Sequence, residues 1–123
     1  MSNPQRVLLL DWTGTLSVLD NPVAFIQACK DQGDYVVLKS FGGYPVEVRD
    51  AVDLQRSKMQ DYREFMDDLN YRRVTPTEVL VVDDDQLTLD VVKRKAEGLM
   101  TRFGVRWVGV HASDILTLIH PKP

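Results

Sequence analysis

Short apolar runs that alternate with helical patterns are the feature of this sequence that most constrains its fold. The runs cover Arg6 to Leu10, Tyr35 to Leu38, Val79 to Val82 and Arg106 to Val110. Continuous apolar runs of this length are typical of strands that are buried on both faces. Because helical stretches separate them, the sequence predicts α/β architecture around a mostly parallel sheet.

The stretches between these runs carry recognisable helix signals. Asn21-Pro22 is typical of a helix start, and Gly33 of its end. Further predictions are a short helix and a stub of strand within 46–55, a core-facing stripe at Met59, Tyr62, Met66 and Leu69, a helix from Gln86 to Phe103 that breaks at Gly98, and a short C-terminal helix capped by Ser113. The expected fold is therefore a three-layer α/β sandwich with a Rossmann-like sheet.

Length and charge limit the classes of protein to consider. The chain has 123 residues and a net charge of −3, which predicts a single domain over residues 1–123 and gives no indication of nucleic-acid binding. The apolar start of the chain is too short for a membrane span, so we expect no membrane association and a cytoplasmic location. The one cysteine, Cys29, is predicted to be a core thiol.

Polar side chains follow three of the predicted strands. Asp11 ends the first strand, Ser40 follows the second, and Asp83-Asp84-Asp85 follows the run Val79 to Val82. Ligands of parallel sheets bind at the carboxyl ends of the strands, so we expect these groups to meet there. Carboxylates crowded at one edge suit Mg²⁺, although single aspartates in such positions also cap turns and helices.

Four segments in order resemble the motifs of the haloacid dehalogenase (HAD) superfamily of phosphatases and phosphotransferases. The segment DWTGTL from Asp11 to Leu16 resembles the first motif and VVLKS the second. Lys58, with Arg56 as the alternative, stands where the third motif has its basic residue, and VLVVDDD resembles the acidic fourth motif. The likeness extends over about residues 6–110.

The resemblance implies a role for each matched residue. Asp11 is the expected nucleophile, which forms an aspartyl-phosphate. Asp11, the backbone carbonyl of Thr13, Asp84 and Asp83 are the expected Mg²⁺ ligands. Ser40 and Lys58 are expected to bind the phosphoryl oxygens, and Gly14 to permit the sharp turn beside them.

Thr13 departs from the usual pattern of the family, in which an aspartate two residues after the nucleophile is the acid and base. Threonine cannot transfer protons in this way near neutral pH, so slow turnover is expected. The form Asp-x-Thr-Gly-Thr is similar to the phosphorylation site of P-type ion pumps, and Trp12 is similar to the phosphonatase branch. The alternative is a weakly active or inactive HAD-like module that binds a protein or nucleic-acid partner.

The short connections between the predicted strands leave no room for a cap domain. Capless members of the family tend to act on large substrates, so the resemblance implies a phosphorylated and macromolecular substrate. VLVVDDDQLTLDVV is also similar to the start of a response-regulator receiver domain. That reading is disfavoured because the later strand, which ends at Val110-His111, lacks the phospho-acceptor aspartate.

Overall fold

The computed structural model describes residues 6–57 and 61–119 of the chain. The strands are β1 (Arg6–Asp11), β2 (Tyr35–Lys39), β3 (Leu54–Arg56), β4 (Glu78–Asp83) and β5 (Arg106–His111). The α-helices are α1 (Pro22–Asp31), α2 (Val46–Ala51), α3 (Tyr62–Tyr71) and α4 (Gln86–Phe103), with 3₁₀ helices at Leu16–Val18 and Ala112–Leu118. In these residues the strands form one sheet in the order β3-β2-β1-β4-β5, and every neighbouring pair is parallel.

Two hydrophobic cores lie on opposite faces of this sheet. Alternate residues of β1 point to opposite faces, so Val7 and Leu9 pack beneath α3 and α4, whereas Leu8 and Leu10 pack beneath α1, α2 and the C-terminal 3₁₀ helix. Both sets of side chains are fully buried. The predicted three-layer α/β sandwich with a parallel, Rossmann-like sheet is confirmed.

The helices begin and end largely where the sequence predicts. The Asn21 side chain accepts a hydrogen bond from the Ala24 amide and caps α1, and Pro22 occupies the first helical position. Gly104 ends α4 with a left-handed conformation, at φ +69°. The short helix and stub of strand predicted within 46–55 correspond to α2 and β3.

Two local predictions were wrong. Helix α4 continues through Gly98 without a break, because its apolar side chains pack against the sheet on both sides of the glycine. The C-terminal helix is a 3₁₀ helix capped by His111 rather than by Ser113: the His111 Nδ1 atom accepts a hydrogen bond from the Ser113 amide.

The remaining core predictions fall on both described and undescribed residues. Cys29 is fully buried beneath the sheet, which confirms a core thiol. Tyr62, Met66 and Leu69 are buried as predicted, whereas Met59 lies outside the described residues. None of the described helices is long and apolar enough to cross a membrane.

The connections between the first three strands belong to the sandwich itself. The chain between β1 and β2 forms a short 3₁₀ helix and α1, and the chain between β2 and β3 forms α2. Phe25 of α1 and Val48 of α2 are both buried in the same core beneath the sheet. In the described residues these connections therefore cover one face of the sheet.

Candidate functional site

Strand register brings five polar residues into one row at the carboxyl edge of the sheet. Lys39 pairs with Arg56 on one side and with Asp11 on the other. Leu10 of β1 pairs with Val82 of β4, and the next residues of these strands are Asp11 and Asp83. Asp83 in turn pairs with His111 of β5. Residues paired across parallel strands project from the same face, so this row extends over the α3 and α4 side of the sheet.

Three carboxylates meet near the centre of this row. Asp11, Asp83 and Asp84 each offer an oxygen, and these oxygens all lie within 4.8 Å of one another. We call these three residues the acidic cluster. Asp11 is 6% exposed and Asp83 is fully buried, whereas Asp84 is exposed to solvent. The cluster therefore has a buried base and an open side.

Lys39 supplies the positive charge at the base of the cluster. Its Nζ atom lies 3.0 Å from Asp83 Oδ2, and the two side chains are 1% and 0% exposed. Because β2 and β4 are on either side of β1, about 9.6 Å apart, the extended lysine side chain has to pass over the end of β1 to reach Asp83. Asp11 is the residue of β1 that pairs with Lys39, so it lies at the strand end that this side chain crosses.

Sequence reasoning missed Lys39, although it noted the neighbouring Ser40. The signal was present: a lysine ends an otherwise apolar strand, as Asp11 and Asp83 end theirs. A lysine is almost never fully buried unless it is paired, so a lysine that ends a buried strand indicates a carboxylate partner.

A turn after β1 places backbone directly against the acidic cluster. The Trp12 carbonyl accepts hydrogen bonds from the amides of Thr15 and Ser17, and the Gly14 amide donates to Ser17 Oγ. Gly14 has φ +75°, and a Cβ atom at this position would lie 2.1 Å from Asp84 Oδ2. The turn therefore requires glycine both for its backbone conformation and for the close approach of Asp84.

The three consecutive aspartates have different contacts. Asp83 Oδ1 accepts a hydrogen bond from the Asp85 amide, while its other oxygen faces Lys39. The Asp85 carboxylate accepts from the Leu87 amide and the Thr88 hydroxyl, so it caps α4. Of these three aspartates, only Asp83 and Asp84 belong to the acidic cluster with Asp11. The predicted set of metal ligands likewise included Asp83 and Asp84 but not Asp85.

The other predicted residues lie around the cluster or outside the described chain. Thr13 is exposed in the turn. Ser40 is 6% exposed, and its hydroxyl exchanges hydrogen bonds with the Gly42 backbone at 3.1 and 3.2 Å. Lys58 lies outside the described residues. The alternative to it, Arg56, forms ion pairs with Asp68 and Glu64 of α3.

Tyr62 and His111 complete the surroundings of the cluster. Burial raises the pKa of the Tyr62 hydroxyl, and the negative charge of Asp83 raises it further. His111 is exposed at the end of β5, where its Nδ1 atom lies 2.9 Å from the Ser113 hydroxyl. Its described contacts belong to the C-terminal 3₁₀ helix rather than to the aspartates.

The donor set fits a hard divalent cation. Three carboxylates and one lysine give the site more acidic than basic groups, an imbalance that a divalent cation would offset. Ligand oxygens around octahedral Mg²⁺ are about 3.0 Å apart when adjacent and about 4.2 Å apart when opposite, so three oxygens within 4.8 Å of one another can share one ion after side-chain movements of about 1 Å. Asp84 is the exposed member of the set, so the cluster is open to solvent on that side.

Comparisons of the chain with family models, curated proteins and solved structures gave no match. Interpretation of the site therefore depends on its residues and their geometry.

Proposed function

We propose that the chain is a Mg²⁺-dependent phosphohydrolase or phosphotransferase that acts through an aspartyl-phosphate on Asp11. The observation that carries the proposal is the acidic cluster, three carboxylate oxygens within 4.8 Å at the carboxyl edge of a parallel sheet. One of these carboxylates, that of Asp11, ends β1, which is followed by a glycine turn and pairs with the strand that carries the buried Lys39.

Asp11 is the proposed nucleophile because of its position and surroundings. It lies in the middle of the row and pairs with Lys39, whose positive charge favours the ionised carboxylate that attack requires. One carboxylate oxygen attacks the phosphorus atom, and the leaving oxygen departs on the opposite side. Phosphoryl transfer depends mainly on positioning and on neutralising charge, and this arrangement supplies both.

Asp11, Asp84 and Asp83 are the proposed holders of Mg²⁺. The ion, when bound, supplies positive charge to the transferring phosphoryl group. Asp83 is held by Lys39 and by the Asp85 amide, so its orientation is already determined. Asp84 is exposed and contacts the backbone of Gly14. This contact determines where the Asp84 carboxylate lies on the solvent-exposed side of the cluster.

Thr13 makes slow turnover part of the proposal. Hydrolysis of the aspartyl-phosphate needs a base that activates water, and the Thr13 side chain cannot act as one near neutral pH. The same residue favours the alternative, a weakly active or inactive module that binds a macromolecular partner. The substrate is proposed to be a phosphorylated macromolecule, since α1 and α2 cover the sheet rather than the acidic cluster.

Release of phosphate from an aryl phosphate, with and without Mg²⁺, tests this proposal. We expect activity that needs Mg²⁺, disappears in Asp11→Asn and falls in Asp84→Asn. Asp85→Asn is the matched control, because asparagine still caps α4 and the acidic cluster stays intact. Thr13→Asp is expected to raise turnover, by up to about 10²-fold. If no variant releases phosphate and Mg²⁺ does not bind, the binding module is the better account.

A further inference from the structure

A second polar site lies on the surface formed by α3 and α4. A cleft of about 430 Å³ lies between the N-terminal end of α3 and the second half of α4. Four basic side chains line it, Arg63 from α3 and Arg94, Lys95 and Arg102 from α4. We call this the basic cleft. It shares no residue with the acidic cluster.

The four cations of the basic cleft lack carboxylate partners in the part of the chain that the structure describes. Seven other basic residues there each form an ion pair within 4.0 Å: Arg6, Lys30, Lys39, Arg49, Arg56, Arg72 and Arg106. The described cations without such a pair are the four of the cleft together with Arg73 and Lys93. Positive charge that is not neutralised internally is therefore concentrated in this one concave place.

Asp61 is the acidic residue that lines the cleft, and its carboxylate already caps α3. The Asp61 carboxylate caps α3 by accepting hydrogen bonds from the amides of Arg63 and Glu64. These backbone hydrogen bonds, first of all the one from Glu64, lower the pKa of Asp61, and the charges of Arg63 and Lys95 lower it further. One carboxylate against four cations leaves the basic cleft with an excess of positive charge.

The spacing on α4 aligns part of the lining in a single row. Arg94, Gly98 and Arg102 are four residues apart, which places them one above another on the same face of the helix. The two arginines are about 12 Å apart along the helix axis. Arginine forks bind phosphate oxygens in pairs, so this row can hold more than one phosphate group.

Gly98 keeps the middle of the row open. A Cβ atom added there would meet no other atom within 4 Å, so no packing contact requires a glycine. Glycine inside a helix is less stable than alanine by about 1 kcal/mol. The open space beside Gly98 is part of the cleft. Buried Tyr62 and Leu99 form its apolar lining.

We propose that the basic cleft binds a small molecule that carries a chain of phosphate groups, such as a triphosphate. Its volume lies in the range of small-ligand sites. A long nucleic acid fits less well, because the chain has a net charge of −3 and four of the six described cations without an ion pair line one short cleft. The site is separate from the one in which Asp11 is proposed to act.

Titration with inorganic tripolyphosphate in the presence of EDTA tests the proposal by calorimetry without involving a metal. Arg94→Gln with Arg102→Gln is expected to weaken binding at least about tenfold, since each substitution removes charge-assisted hydrogen bonds to the phosphate oxygens. The matched control is Arg73→Gln with Lys93→Gln, which removes the same charge outside the cleft and is expected to bind like the natural chain. Asp11→Asn is also expected to bind normally.

Gly98→Leu tests the shape of the site without changing its charge. Leucine favours the helix over glycine, so this variant is expected to fold with equal or higher stability, while its side chain fills the cleft and binding is lost. The proposal is overturned if tripolyphosphate does not bind at low salt, if both double variants lose affinity equally, or if Gly98→Leu binds normally. Tighter binding of a single-stranded oligonucleotide that depends on Arg73 and Lys93 would also overturn it in favour of an extended nucleic-acid surface.

Discussion

At the scale of single residues, neighbouring side chains of one type have different environments. Asp83, Asp84 and Asp85 are consecutive, yet their contacts differ. Asp83 pairs with the buried Lys39, Asp84 contacts the backbone of Gly14, and Asp85 caps α4. The sequence predicts that acids gather there, because an apolar strand runs into them. Which oxygen faces which partner depends on strand register, and register is not visible in composition or periodicity.

Gly14→Ala tests the contact between the turn and the acidic cluster. The new Cβ would lie 2.1 Å from Asp84 Oδ2, so Asp84 has to move and Mg²⁺ affinity is expected to fall at least about tenfold. The left-handed backbone adds a cost of about 1–2 kcal/mol to folding.

Gly43→Ala is the control for this backbone cost. Gly43 also has a positive φ, +80°, but an added Cβ meets nothing within 4 Å. It is expected to lose similar stability and to keep its Mg²⁺ affinity, measured by calorimetry beside urea unfolding. Equal Mg²⁺ affinities for the two variants would contradict the contact between Gly14 and Asp84.

Cys29 leads to a prediction about alkaline pH. Burial raises the pKa of this thiol from 9.0 to about 12. The unfolded chain therefore loses the thiol proton at lower pH than the folded chain, and the free energy of unfolding is expected to fall as the pH rises from 9 towards 12. Cys29→Ala should show a shallower fall in urea unfolding over that range. An identical slope in the two proteins would show that the thiol does not contribute.

At the scale of secondary-structure elements, most of the fold could be predicted, whereas one contact of the candidate site could not. Each strand is an apolar run of ordinary length, and Asn21-Pro22 and Gly104 mark helix ends by their own chemistry. The predicted break at Gly98 was wrong because packing of α4 on the sheet outweighs a cost of about 1 kcal/mol. Lys39 was missed because its partner lies on β4, two strands away and 44 positions further along the sequence.

The pair of Lys39 and Asp83 connects β2 with β4 across the end of β1. Lys39→Met leaves a fully buried carboxylate without its ammonium partner, and we expect the free energy of unfolding to fall by about 3–5 kcal/mol. The double variant Lys39→Met with Asp83→Asn removes most of that unpaired charge and is expected to be more stable than the single variant. Urea unfolding of the two proteins measures the difference, and a double variant that is the less stable one would contradict a direct pairing.

At the scale of the whole molecule, the sheet order brings the two acidic strand ends together. β1 lies between β2 and β4, so Asp11 has Lys39 on one side and Asp83 on the other. The basic cleft lies on the outer surface of the α3 and α4 layer. The molecule therefore has an excess of negative charge at one edge of its sheet and a concentration of positive charge on a helical face.

The central claim is that Asp11 accepts a phosphoryl group, and covalent trapping tests it most directly. The chain is incubated with Mg²⁺ and acetyl phosphate, and the peptide that contains Asp11 is examined by mass spectrometry. We expect an added mass of one phosphoryl group on Asp11, released by hydroxylamine and absent without Mg²⁺ or in Asp11→Asn. The adduct should persist in the natural chain and decay faster in Thr13→Asp, because an aspartate there can activate water. A chain that stays unmodified under these conditions, or that carries the phosphoryl group elsewhere, would contradict the claim.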